Sequence, residues 1–463
     1  MIMSSIWPSS AERVSGELHI GGCRVSAIAD RFGTPIFVLD ESDFRDRIAH
    51  WSKNFNSIFG ANAGDVYYAA KAFISVEVAK MIDEGGISLD VCTGGELAVA
   101  RAAKFPGERI EMHGNNKSER EIAAAIDYRV GTIVVDSLQE IDRVARIAHE
   151  KNRVQQITLR LNPGVEAHTH EYIATAHEDV KFGFSIASGA AWDALLAATK
   201  HESLKIGGVH CHIGSQIFSS EAFAASATRL LEFMARYKSE FGNELENLNI
   251  GGGVGIAYTT KDHPMDAVEF LESIKDVISK ESARLGLKVP RVSIEPGRSL
   301  IGPSMVTIYR VGTTKEVQLE GGLKRLYVSV DGGMSDNIRT ALYGAEYTAE
   351  IANRESTSAS RDCRLVGKHC ETGDIVISSI DLPSDIAPGD LIAVPATGAY
   401  GRSMASNYNH VPRPGVISVL KGTARTIVRS ETEADLLALD VVESAVRLDV
   451  KLDGNLDGKA SGN

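Results

Sequence analysis

"NIGGGVGI", Asn249–Ile256, decides between two parallel-sheet folds. A glycine turn after a short apolar run suits both a doubly wound dinucleotide-binding sheet and a (β/α)8 barrel. The dinucleotide fingerprint G-x-G-x-x-G needs a third glycine, and Ile256 stands in its place. The turn is therefore read as a loop at the end of a barrel strand.

The rhythm of the chain on either side supports that reading. From about residue 34 to 300, short apolar runs alternate with longer amphipathic ones. The short runs are 65–71, 87–92, 109–114, 131–136, 156–162, 207–214, 247–253 and 291–297. Helix-like segments lie between them, including 75–84, 96–104, 118–128, 138–151 and 222–241. Strands alternating with helices predict a parallel sheet, and eight such units are the content of a TIM-type barrel. After residue 305 the runs become short, alternating and bounded by Gly, Pro and Asp, as in "LKRLYVSVDGG" and "DLIAVPAT". That predicts an antiparallel β-sandwich or β-barrel domain. The expected division is an N-terminal segment 1–33 contributing to the β domain, a barrel over 34–304, the β domain over 305–448 and a disordered polar tail over 449–463.

Composition narrows the function classes. A formal net charge of -12 without a long basic block excludes nucleic acid as the main partner. No apolar run approaches membrane-helix length, and the N-terminus lacks the pattern of a signal peptide. Five scattered cysteines fit a reducing compartment, so a cytoplasmic protein is expected.

Chemistry in a barrel of this kind occurs at the C-terminal ends of the strands. There the sequence places Lys71, Asp90, His113, Asn162, His212 with Ser215, Gly251–Gly253, and Glu295 with Gly297 and Arg298. Lys71 stands near the end of "VYYAAKAF", Val66–Phe73, an otherwise apolar run. Strand-end lysines commonly reach out to solvent, and the other strand ends argue for a different role here. Glycines beside the seventh and eighth strands let backbone N–H groups approach an anion, at the usual barrel phosphate site. A carboxylate at Glu295 is costly at the end of an apolar strand unless paired. A lysine, a phosphate cradle, a flat His212 ring to stack and a buried carboxylate are together what pyridoxal 5'-phosphate (PLP) requires. His210 and His212 also form an H-x-H pair, which keeps a zinc hydrolase on the same barrel as an alternative.

The motifs "YYAAKAF", "LDVCTGGEL", "HGNNKS", "RLNPGV", "HTHEYIATAHEDVKFGF", "HCHIGSQI", "NIGGGVGIAY", "EPGRSLIGP", "DGGMSDNIRTALYGAEY", "GKHCETGD" and "GAYGRSMASNYN" resemble the fold-type III PLP decarboxylases over about residues 20 to 445. Within that family they are similar to the branch acting on meso-diaminopimelate. The resemblance implies Lys71 as the PLP lysine, Asp90 near it, His212 stacked on the ring, and Ser215, Gly253 and Tyr400 at the phosphate. It places the loop Glu295–Gly297–Arg298 at the phosphate and ring nitrogen. It implies Arg298, Arg339, Tyr343, Glu371 and Tyr400 as substrate contacts and Cys370 as proton donor. Cys370 and Glu371 would come from the partner in a homodimer with shared sites. Two positions depart from the usual pattern, Thr340 and Thr372, and both leave the functional side chains in place. The reaction expected is meso-2,6-diaminopimelate to L-lysine and carbon dioxide. Related decarboxylases of ornithine or arginine are disfavoured, because a cationic distal group calls for acidic residues where Arg339 stands.

Overall fold

The computed structural model describes residues 5–165 and 181–441. The expected tail 449–463, the end of the β-domain stretch, and most of "HTHEYIATAHEDVKFGF" lie outside the described residues.

Eight parallel strands close into a barrel: Gly64–Ala69, Ser88–Val91, Ile110–Met112, Thr132–Val135, Gln155–Asn162, Leu204–His210, Asn247–Asn249 and Arg291–Ile294. The ring closes where Val292 pairs with Gly64 and Ile294 with Val66. Alternate positions such as Tyr68, Leu89, Ile110, Ile133 and Leu159 join the main apolar core with helix residues Ile82, Leu97 and Ile122. Hydroxyl and acid starts explain where the intervening helices begin. Ser75, Thr93 and Ser137 each accept a hydrogen bond from a backbone N–H of the first turn, and Ser118 and Glu121 form a capping box. The helix after the eighth strand is a single short turn, Arg298–Ile301, and the chain then leaves the barrel.

The second domain is one large sheet. Its strand order is Ile375–Pro383, Ser360–Val366, Lys324–Val330, Met305–Gln318, Ile36–Asp40, Val416–Leu420 and Thr423–Val428. Leu391–Val394 also pairs with Met305–Gln318. Two details differ from the sequence reading. The segment Ile36–Asp40, counted with the barrel stretch, is a fully buried strand of this sheet. It runs antiparallel to Met305–Gln318 and parallel to Val416–Leu420. The sheet is also not purely antiparallel, since Lys324–Val330 pairs in parallel with Ser360–Val366. Both parallel pairings span long connections, as parallel strands require. The N-terminal strands Glu12–Val14, Glu17–Ile20 and Cys23–Arg24 form a small separate sheet. It is tied to the β domain through Leu18 N–H to Ala352 O (2.8 Å) and the Arg13–Glu350 ion pair (2.8 Å). Among the described residues no helix is long and apolar enough to cross a membrane.

Candidate active site

The first barrel strand carries the chain to Lys71. The Ala70 N–H donates to Asp90 O at 2.9 Å, which fixes the lysine beside the second strand. From the β domain, the Tyr400 N–H and the Ser403 hydroxyl both donate to Ala72 O, at 2.9 and 2.8 Å. A loop of the second domain thereby forms one wall of a pocket at the C-terminal end of the barrel. Lys71, His212, Ser215, Gly253, Glu295, Gly297, Arg298 and Tyr400 all line that pocket. These are eight of the nine cofactor-binding candidates read from the sequence. The ninth, Asp90, is buried beside them, with the Cys92 thiol 3.8 Å from its Oδ1.

Electrostatics differ between the parts of the pocket. Burial opposes a charge on Lys71, yet Tyr400, Cys92, Asp90 and Glu295 hold its amine above the usual lysine range. Burial, with Lys71 and Arg160 nearby, pushes His212 well below the ordinary imidazole value. Its ring is therefore neutral and suited to lie against an aromatic face.

Glu295 is buried, and one amide donor and two imidazole nitrogens gather at one of its oxygens. Asn249 Nδ2 donates to Oε1 at 2.8 Å, and His210 Nε2 and His113 Nε2 lie 2.9 and 3.3 Å from it. Burial raises the Glu295 carboxyl, but His210 and His113 more than offset it and hold the group well below the usual carboxylate range. Glu295 thus faces the pocket ionised.

Arg298 donates to Ser215 Oγ at 2.9 Å and to the Tyr258 hydroxyl, and its guanidinium lies 4.7 Å from the Tyr400 ring centre. Arg298 Nε is buried without a protein partner among the described residues. Gly253 holds φ +126, and a Cβ there would stand 2.4 Å from Gly214 O, so only glycine lets the two loops meet. A guanidinium with an unused donor, a serine hydroxyl and an unshielded glycine backbone fit a phosphate. With the neutral His212 ring and the ionised Glu295, the donor set fits PLP.

Arg339 reaches this cluster through aromatic rings. It is buried, donates to the Tyr347 hydroxyl at 2.5 Å and lies 4.5 Å from the Tyr258 ring centre. Tyr343, four residues on, is half-buried at the end of the same short helix. Cys370 and Glu371 are not part of the pocket within this chain. They sit exposed on the loop between strands Ser360–Val366 and Ile375–Pro383. That loop is held by His369, whose Nε2 lies 2.8 Å from Ser335 Oγ and whose N–H donates to Asp374 Oδ2 at 2.7 Å.

The sequence reading assigned no role to Glu111, Asn249, Tyr258 or Tyr347, and placed His113 only as a strand end. One signal was available for two of these. Glu111 and His113 alternate along "RIEMHG", so both side chains face into the barrel, where acids are costly alone. The H-x-H pair does not converge on one point. His210 joins His113 and Glu295 in a group whose ligand atoms lie within 4.8 Å of one another, while His212 lines the pocket instead. A larger cleft beside helix Glu41–Phe59, lined by Asp46, His50, Asp262 and Asp266, adjoins the pocket and shares Val254 with it.

Residues 41–302 match the family described as pyridoxal-dependent decarboxylase, pyridoxal binding domain. A diaminopimelate decarboxylase of Mycobacterium bovis is 49% identical over 442 residues, covering 94% of this chain and 98% of that protein. The diaminopimelate decarboxylase of Corynebacterium efficiens is 47% identical over 437 residues, 94% of each chain. Among solved structures, diaminopimelate decarboxylase from M. jannaschii in complex with L-lysine superposes with a TM-score of 0.87 at 30% identity, over 94% of this chain and 98% of that one.

Proposed function

The chain belongs to the pyridoxal-dependent decarboxylases, in the diaminopimelate decarboxylase branch, and from that premise we infer how its residues divide the work. The reaction is the conversion of meso-2,6-diaminopimelate to L-lysine and carbon dioxide, the last step of lysine biosynthesis, with PLP as cofactor. The observation that carries the assignment of roles is the convergence of Lys71, His212, Ser215, Glu295, Arg298 and Tyr400 on one pocket. Incubating the purified, PLP-loaded protein with meso-diaminopimelate tests the reaction. Stoichiometric carbon dioxide and L-lysine are expected, and their absence would reject it.

When bound, PLP supplies an aldehyde for an amino group and a protonated pyridine ring that accepts the electrons of the broken carbon–carbon bond. The protein does the rest. Lys71 would hold the cofactor through its amine. Asn249, His210 and His113 all address Glu295 Oε1, and the Glu295 carboxylate would hold the proton on the ring nitrogen. His212 covers the ring face. Ser215, the Gly253 and Gly297 loops, Arg298 and Tyr400 anchor the phosphate.

Cys370 protonates the reacting carbon as a general acid, and Glu371 receives the distal ammonium. Both are exposed in this chain and outside its pocket, which supports a homodimer in which each subunit completes the other's site. All five cysteines are free, which supports a cytoplasmic location.

The distal carboxylate falls to Arg339, aided by Arg298, Tyr343 and Tyr400. A buried guanidinium grips a carboxylate with two parallel bonds. Without that anion it is an unpaired charge, so the site rejects lysine and ornithine as well as failing to attract them. Breaking such a pair costs ~2–5 kcal/mol, at about 1.4 kcal/mol per factor of ten. Arg339→Gln is therefore expected to lower kcat/KM on diaminopimelate at least ~30-fold and leave the near-visible cofactor absorbance unchanged. A variant within about threefold of wild type, the effect of a bracing contact worth under ~1 kcal/mol, would move this role to Arg298 and Tyr343.

A further inference from the structure

Two acids meet across one amide inside the barrel. Asn249 Nδ2 donates to Glu111 Oε1 at 2.9 Å and to Glu295 Oε1 at 2.8 Å. His113 Nε2 lies 3.2 Å from the first oxygen, 3.3 Å from the second and 3.8 Å from Asp90 Oδ1. These are ion-pair distances, and none of the three is a well-aligned hydrogen bond. The ring therefore acts on its neighbours through charge more than through direction. Two carboxylates this close do not both ionise unless a cation sits between them.

We propose that His113 is a positioning residue for the reaction: as an imidazolium set between Glu111 and Glu295, it keeps Glu295 a carboxylate toward the cofactor ring. The proposal rests on the cofactor reading above.

The charged and titratable groups around this cluster include Tyr67, Lys71, Asp90, Glu96, Glu111, Arg160, His210 and Glu295. The two imidazoles pack edge to face with ring centres 4.7 Å apart, and they differ in their acidic neighbours. His113 faces three acids, Glu111, Glu295 and Asp90. Burial opposes its charge, but Asp90, Glu295 and Glu111 lift it to about 10. His210 has Glu295 alone as an acidic partner, with His113 and Arg160 as cations, and burial drives it down to about 4. Burial and the Glu295 charge push Glu111 well above the carboxylate range, so Glu111 keeps its proton. Glu111 and Asn249 also line a polar cavity at the other end of the barrel, beside Asp65, Glu108 and Arg291, whereas Glu295 lines the cofactor pocket. The acid pair thus spans the barrel interior, with the ionised member on the cofactor side.

The test compares binding of PLP with binding of 1-deaza-PLP, which has a ring CH where PLP has nitrogen. Wild type is expected to favour PLP by about tenfold or more, the worth of one hydrogen bond to a charged group. In His113→Gln that preference is expected to fall at least ~fivefold, with circular dichroism unchanged. A merely structural histidine would weaken both ligands alike, so a variant that keeps the wild-type ratio overturns the proposal. Failure of wild type to bind PLP would instead reject the cofactor reading. Should His113→Gln not fold, histidine-labelled ¹⁵N spectra of the wild-type holoenzyme decide. At about pH 8.5, well below the His113 value of about 10, a doubly protonated imidazole is expected, and its absence overturns the proposal.

Discussion

Lys71→Ala is expected to abolish turnover on meso-diaminopimelate and the near-visible absorbance of the bound cofactor together. Among the described residues lining the pocket, Lys71 carries the only primary amine. Arg298 lies in the same pocket, but a guanidinium stays protonated and does not condense with an aldehyde. Loss of a covalent catalytic group typically costs ~10⁴–10⁶-fold, which puts the variant below detection. The fold should survive, because the backbone contacts around the lysine belong to Ala70 and Ala72 rather than to its side chain. Borohydride reduction of the native holoenzyme, followed by peptide mapping, should label the peptide that contains Lys71. A label on any other lysine, or a Lys71→Ala protein that keeps the wild-type spectrum, would remove the cofactor assignment.

The barrel was legible because its signals are local. Each of the eight apolar runs overlaps a strand, and a serine or threonine one residue before a helix both ends a loop and caps the next element. The pocket residues were legible for a related reason. Closing a parallel barrel brings all strand ends to one rim, so Lys71, His212, Gly253 and Glu295 meet although they are far apart in sequence.

What was not legible depends on pairing across long distances. Ile36–Asp40 is short and buried at every position. Nothing in its five residues tells a barrel strand from the middle of the other sheet, where Val416–Leu420 supplies its partner. The polar cluster around Glu295 is hidden in the same way. Its members come from the third, sixth, seventh and eighth strands, and each one alone reads as a histidine, an asparagine or an acid on an ordinary strand. Tyr258 closes "NIGGGVGIAY", yet its role as the ring between Arg298 and Arg339 needs the loop's three-dimensional path.

Cys370→Ala should bind PLP and meso-diaminopimelate normally and turn over slowly, since only protonation of the reacting carbon loses its donor. Removing a general acid typically costs about 10²–10⁴-fold. The proposed cofactor anchor Lys71 and proposed phosphate ligands all line the chain's own pocket, so the variant should keep the wild-type absorbance spectrum and KM. The thiol is exposed on a loop held in place by His369, Ser335 and Asp374 rather than packed into the chain's own pocket. That arrangement predicts complementation. A Lys71→Ala subunit still offers an intact Cys370 loop, and a Cys370→Ala subunit still offers an intact Lys71 pocket. In a mixed dimer, one of the two sites is then fully wild type. Random exchange of equal amounts makes about half the dimers mixed, so about a quarter of all sites regain activity if a site pairs Lys71 of one chain with Cys370 of the other. Recovery near that fraction after confirmed subunit exchange supports the shared site. No recovery would place the proton donor within the same chain and send the search to Tyr400 and His212 in the pocket and to Cys92 beside Asp90.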